Sequence, residues 1–282
     1  MNFIDFAQAN GLDINSLVQG KIIRCKTHDH PHKKNGAYLF DGDWGWVQDH
    51  ANHLEVQLWR SDRPMTEQDK AEMQKRMAAS RKKYMADKAR MQVKAAEKAQ
   101  WILGQCELSQ HAYLDKKGFP DMRMNVWRKE DQSPLLVIPM RIDGKLCGVQ
   151  LVDIEGNKKF LTGQRTNDAT FTMSKTGPDS RLFLTEGYAS ALSLQAILAT
   201  LKIPYTIAAT FSAGNLARIA KENQRAFVVA DNDQSGTGEK VALESGCRWW
   251  MPETIGQDIN DFHQAVGLFK ASQAIKKVLM GK

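Results

Sequence analysis

Apolar and polar positions follow two rhythms along the chain. After residue 180, short apolar runs alternate with longer segments of helical period. The runs are "RLFLTEG" (181–187), "YTIAATF" (205–211), "AFVVA" (226–230) and "CRWWM" (247–251). Between the first two, Ala191, Leu192, Leu194, Leu198 and Leu201 recur at helical spacing. "GNLARIAKEN" and "GTGEKVALESG" read as the next two helices. Strand and helix in alternation, with short connections, predict a parallel sheet covered by helices.

The rhythm differs upstream. "LLVIPMRIDGKLCGVQLVDIEGNKKFL" predicts two or three strands joined at Asp143-Gly144 and Gly156-Asn157, both good hairpin turns. Residues 64–104 have strong helix formers and no Gly or Pro between Pro64 and Gly104. Thr66 and Asp69 mark the start of that helix and Gly104 its stop. Its basic residues outnumber its acids; a solvated linker is preferred to a nucleic-acid contact. Its spaced methionines, from Met65 to Met91, suggest a packing stripe. Residues 1–63 read as short strands with turns at Gly36, Gly42 and Gly45. The expected division is therefore a β-rich module (1–63), a basic helical linker (64–104), a mixed α+β subdomain (105–178) and an α/β domain (179–282).

Composition changes this picture little. The 282 residues carry a net charge of +7, compatible with a polyanionic partner. The cysteines, Cys25, Cys106, Cys147 and Cys247, form no CxxC pair, as expected of a reducing cytoplasm. No run is long and apolar enough to predict a membrane span, and the N-terminus lacks the pattern of a secretory signal.

Acids at the strand ends supply the candidate chemistry. Glu186 follows the first run, Asp231 and Asp233 follow the third, and Asp258 and Asp261 follow the fourth. Open parallel sheets bind ligands outside the carboxyl ends of their strands. Two carboxylates ~4 Å apart repel by about 4 kcal/mol at an effective dielectric of ~20, which a divalent cation would relieve. Mg²⁺ suits such a site, held by a few carboxylates and by substrate phosphates. Gly187 and Gly236 would allow close approach. For Asp233 alone, a turn or helix cap is the competing role. "SGTGEK" lacks the spacing of a phosphate-binding P-loop and is read as a helix start.

"LFLTEGYASALSL" followed by "FVVADNDQSGTGEKVA" resembles the Toprim domain of DnaG-type primases, topoisomerases and some nucleases. Glu186, Asp231 and Asp233 occupy its signature Glu and DxD positions, and "DIND" resembles a later acidic motif of phage and plasmid primases. "AYLDKKGF" is similar to the YLxxRG motif of the primase N-terminal subdomain, with Lys117 in place of its Arg. The substitution keeps the charge and loses the planar fork. The stretch from "LLVIPM" to "KKFLTG" resembles the primase segment whose basic residues face the metal across a cleft.

The resemblance implies a DNA primase making short RNA primers on single-stranded DNA, in phage, plasmid or mobile-element replication. It implies Asp231 and Asp233 as ligands of Mg²⁺ or Mn²⁺, and Glu186 as ligand or general base. Asp258 and Asp261 are candidates for a second ion. Lys159, with Lys158, Arg141 and Lys117, would meet nucleotide phosphates or template. Ribonucleoside triphosphates, a single-stranded template and a replicative helicase on a separate chain are the implied partners, in the cytoplasm of a bacterial host. Zinc is not expected: Cys25, His28, His30 and His32 lack a second ligand pair. Trp44, Trp46 and Trp59 are read as core of the first module, with base stacking as the alternative. Trp249 and Trp250 are read as strand residues buried on one face. His111 and His263 lack a partner acid or cysteine. A Toprim-type nuclease and a non-catalytic single-stranded-DNA-binding protein remain competing functions.

Overall fold

The computed structural model describes residues 1–52, 55–62, 66–128, 133–175, 177 and 180–281. The expected boundaries at 63/64 and 178/179, and Met65 of the methionine stripe, touch positions outside the described residues. The described residues form seven helices and fifteen strands. They fall into two compact units, 1–87 and 88–282.

In the first unit, α1 (Phe3–Ala9) precedes an antiparallel sheet. Its strands are β1 (Leu12–Asp13), β2 (Ile22–Thr27), β3 (Gly36–Phe40), β4 (Trp44–Asp49) and β5 (Gln57–Arg60), in sequence order across the sheet. Phe3, Leu12, Tyr38, Val47 and Trp59 form its core. Trp59 is buried and donates its indole N–H to the Met1 carbonyl at 3.0 Å. Trp44 is buried and Trp46 half-buried, so Trp44 and Trp59 are core residues. Gly42 makes a turn with a φ of 72°, whereas Gly36 and Gly45 lie within strands. Gly45 is there for closeness: a Cβ would overlap the Phe3 ring and the Leu39 carbonyl.

The basic segment forms α2 (Glu67–Gly104). Thr66 and Asp69 cap it reciprocally, through Asp69 N–H to Thr66 Oγ1 at 3.1 Å and Thr66 N–H to Asp69 Oδ2 at 2.9 Å. The methionine stripe is only partial: Met73 and Met77 are half-buried, but Met85 and Met91 are exposed. Nor is the helix solvated throughout. Ala99 and Ile102 bury against Trp127, Val137 and Val149 in the second unit, to which this end of α2 belongs.

The second unit holds two sheets. The antiparallel one contains β6 (Cys106–Ser109), β7 (Met124–Trp127), β8 (Leu135–Ile142), β9 (Lys145–Val152) and β10 (Lys158–Phe160), in that spatial order. Helix α3 (Ala112–Lys116) sits between β6 and β7 in sequence, and both expected hairpin turns are present. The other sheet begins with β11 (Phe171–Lys175), an antiparallel edge strand that the apolar pattern does not announce. Its burial pattern is broken and largely exposed.

The rest of that sheet is parallel. In chain order come β12 (Arg181–Thr185), α4 (Tyr188–Thr200), β13 (Tyr205–Ala209), α5 (Ala213–Glu222), β14 (Phe227–Val229), α6 (Thr237–Ser245), β15 (Arg248–Trp250) and α7 (Ile259–Leu279), broken at Gly267. Across the sheet the order is β11-β13-β12-β14-β15. Phe183, Ile207 and Phe227 face α4 and α7, while Leu184, Ala208 and Val228 face α5 and α6. Burial on both faces explains why these strands read as unbroken apolar runs. Trp249 and Trp250 follow the same alternation: each is half-buried, against opposite faces. The chain leaves β12 toward β13 on one side and later returns to β14 on the other. The carboxyl ends of β12 and β14 therefore flank a switch point, where such sheets open a crevice.

Candidate functional site at the carboxyl edge of the parallel sheet

Register sets the first two acids side by side. Thr185 of β12 pairs with Val229 of β14, so Glu186 is level with Ala230 and Asp231 lies one residue beyond. Asp231 is the most perturbed of the acids. Its Oδ1 is buried without a hydrogen-bond partner. Burial pushes its carboxyl up to about 7, and Asp258, Glu186 and Asp233 push the same way against Lys158. Glu186 is also raised, first by burial and then by Asp233, again opposed by Lys158.

Gly238 brings α6 onto this corner. A Cβ there would overlap the Asp231 carbonyl oxygen, a backbone atom that cannot rotate away. Gly238→Ala is expected to shift the start of α6 and destabilise the protein by about 1–3 kcal/mol or more. Thermal unfolding checks this; an unchanged midpoint would refute the packing argument.

Asp233 has a different environment. Its Oδ2 accepts from Gly238 N–H at 2.8 Å, and its Oδ1 accepts from Ser235 N–H at 2.9 Å and from the Ser235 hydroxyl. These bonds hold its carboxyl below the usual range. Asp233 thus performs the capping role, and the amides after it point at its carboxylate. Gly236, with a φ of 70°, is the N-cap residue of α6. Between the two acids, Asn232 pins the loop after β15: its side-chain amide donates to Pro252 and Glu253 carbonyls at 2.9 and 3.3 Å.

That loop delivers the last acids. Asp258 is the N-cap of α7 and forms a capping box with Asp261. Asp258 also accepts from the Ser190 hydroxyl at 3.3 Å, and it acts on Asp231. Asp261 is turned elsewhere, to Lys117 Nζ at 3.3 Å. Next to it, buried Asn260 donates to the Lys117 carbonyl and to Ser193 Oγ, at 2.8 and 3.0 Å. Lys117 therefore joins α3 to α7 within this unit.

Two tyrosines near these acids are buried. Tyr113 from α3 is buried, and its hydroxyl is pushed up to about 12 by burial, then by Asp258 and Asp261. Tyr188, at the start of α4, is 1% exposed and its hydroxyl has no hydrogen-bond partner. Burial raises it, with Tyr113 adding to the effect. Both belong to longer sequence motifs, and neither motif signals that Tyr113 comes under the influence of Asp258 and Asp261.

On the basic side, Lys158 acts on Glu186 and Asp231, whereas Lys159 is not among the charges perturbing either acid. Side chains alternate along a strand, so two adjacent lysines on β10 cannot both face the acids. Arg141 donates to the Gly144 carbonyl at 3.1 Å and stabilises the hairpin turn. The two histidines serve structure: His111 caps α3, and His263 meets Ser193 Oγ at 3.0 Å. In the first unit Cys25 is half-buried on β2, its thiol pushed up to about 11 by burial.

Phe211 follows β13 with a φ of 67°, a strained conformation for a bulky residue that costs roughly 1–3 kcal/mol. It is held there by its own N–H, which donates to the Glu186 carbonyl at 2.8 Å, and by Thr210 N–H, which donates to the Thr185 carbonyl at 2.9 Å.

Among the described residues no three His, Cys, Asp or Glu side chains are grouped as a ready metal cage. The fit to a hard cation is of another kind: one unpartnered buried carboxylate oxygen among acids that repel it. Mg²⁺ needs only one or two carboxylates when waters and phosphates complete its shell.

Among the described residues no helix is long and apolar enough to cross a membrane. No family model matches the chain, and no curated protein matches it. Among solved structures, it is similar to the primase fragment of the bacteriophage T7 primase-helicase protein. The identity is 17% and the TM-score 0.41, over 59% of this chain and 68% of that one.

Proposed function

We propose that the chain is a Toprim-type DNA primase that synthesises short RNA primers on single-stranded DNA from ribonucleoside triphosphates. The observation that carries this reading is the Asp231 carboxylate. It has an unpartnered buried oxygen, sits with Glu186 and Asp258 at a crevice of the parallel sheet, and is opposed by Lys158. Asp231 with Glu186 would hold Mg²⁺ or Mn²⁺, with Asp258 beside them; Asp233 would contribute after giving up part of its capping bonds. The ion would supply charge neutralisation at the transferred phosphate and a more acidic attacking hydroxyl. Lys158 would hold substrate phosphate by its charge; the raised Glu186 carboxyl would accept a proton where it does not hold the ion. Phosphoryl transfer needs little more than positioning and charge stabilisation.

The test is an assay with single-stranded DNA, labelled ATP or GTP, and Mg²⁺ or Mn²⁺. A ladder of short RNA is expected, falling at least ~100-fold in Asp231→Ala. Degradation of the DNA without a ladder would replace the primase by a nuclease on the same site. DNA binding with no product of either kind would leave a non-catalytic binder.

A further inference from the structure

Phe160 and Phe211 have no role in the reading above, yet they stand at its edge. Side chains alternate along a strand, so Phe160 shares the face of β10 that carries Lys158. Lys158 on that face acts electrostatically on Glu186 and Asp231. Phe211 closes the same corner from the parallel sheet, with its N–H bonded to the Glu186 carbonyl. The two rings meet edge to face, their centroids 6.4 Å apart at 85°. Phe160 nevertheless remains 42% exposed.

The open Phe160 ring thus stands next to Phe211, whose backbone is bonded to Glu186. Phe211 adds to that: its positive φ is a conformation in which glycine would be unstrained. Hydrogen bonds from Thr210 N–H and from its own N–H hold the strain in place, and what it secures is the position of a ring. Bases of every kind stack on aromatic side chains. We propose that Phe160, steadied by Phe211, is a stacking surface for a nucleobase of the substrate or template whose phosphates lie against Lys158. This inference rests on the nucleotide-binding reading of the acidic crevice.

The experiment titrates 2-aminopurine riboside triphosphate with Mg²⁺, and in a second arm a single-stranded oligodeoxynucleotide carrying one 2-aminopurine. Fluorescence quenching reports stacking. With the wild-type chain, quenching is expected in at least one arm, and that arm identifies the source of the base. Phe160→Ala should lower the affinity about tenfold and remove the quenching, and Phe160→Trp should restore both. Inorganic triphosphate should bind Phe160→Ala as tightly as wild type. Equal affinity and equal quenching in wild type and Phe160→Ala would overturn the stacking surface while leaving the nucleotide site intact. Failure of both probes to bind the wild-type chain would overturn the two readings together.

Discussion

Asp231→Asn is expected to make the metal-free protein more stable and, in the same chain, to abolish the primer synthesis proposed for it. Burial, and then the like charges of Asp258 and Glu186, push the folded carboxyl up to about 7 from an ordinary 3.8. Below both values Asp231 is protonated in the folded and unfolded states and contributes nothing. Between them the folded state keeps a proton that the unfolded state has released, so stability falls as pH rises. Above the folded value the full cost is present and constant. At 1.36 kcal/mol per pKa unit the cost approaches about 4 kcal/mol, and water entering the crevice lowers it to about 2–4. Asparagine keeps the shape and removes the charge.

Denaturant unfolding in the presence of a chelator, from pH 4 to pH 8, measures the effect. The two proteins should agree near pH 4 and separate by about 2–4 kcal/mol at pH 8. Adding Mg²⁺ at pH 8 should stabilise the wild type and leave Asp231→Asn unchanged. A difference independent of pH would show that Asp231 is not desolvated among like charges. A residue that weakens its own fold and is needed for activity is what a site built to receive a cation requires.

The second large effect separates two adjacent lysines. Lys158→Ala should reduce the proposed primer synthesis by ~100-fold or more, the scale of losing one charged donor from a reacting centre. Lys159→Ala should stay within about threefold, since alternation turns it away from the acids. Loss of Lys158 also removes the positive charge that lowers Glu186 and Asp231, so both carboxyls rise further. The activity profile of Lys158→Ala should therefore have its rising limb displaced toward higher pH. Steady-state rates across pH for both variants decide the matter. A larger loss in Lys159→Ala would mean that β10 presents its other face.

The lysine pair shows what kind of information a sequence holds. Resemblance picks out the segment "KKFL" and favours Lys159; local pattern alone cannot say which face of a three-residue strand meets the sheet beyond it. The same limit applies to Tyr113 and Tyr188. Both lie within recognisable motifs, but they are brought together, with Tyr113 under the influence of Asp258 and Asp261, only because α3 and the start of α4 pack against β8 and β9. The edge strand β11 escapes notice because it lacks both an apolar run and a clean alternation.

Other features are written locally and are read correctly. The continuous apolar runs of β12 and β14 require a sheet covered on both faces, and the reciprocal cap of Thr66 and Asp69 places the start of α2. Asp143-Gly144 and Gly156-Asn157 fix their hairpins because so few residues accept the backbone angles there. Sequence by itself thus determined the alternation of strands and helices and the presence of Glu186, Asp231 and Asp233 at strand ends. These depend on period, turn chemistry and capping, which act over a few residues. Tertiary structure decided the charge state of each acid. Asp231 and Asp233 are separated by one residue, yet desolvation and like charges raise the first, while hydrogen bonds to Ser235 and Gly238 lower the second. The capping of Asp233 is local and is legible in the turn that follows it, whereas desolvation is set by everything packed around a group, so no local pattern could show that Asp231 is buried among like charges.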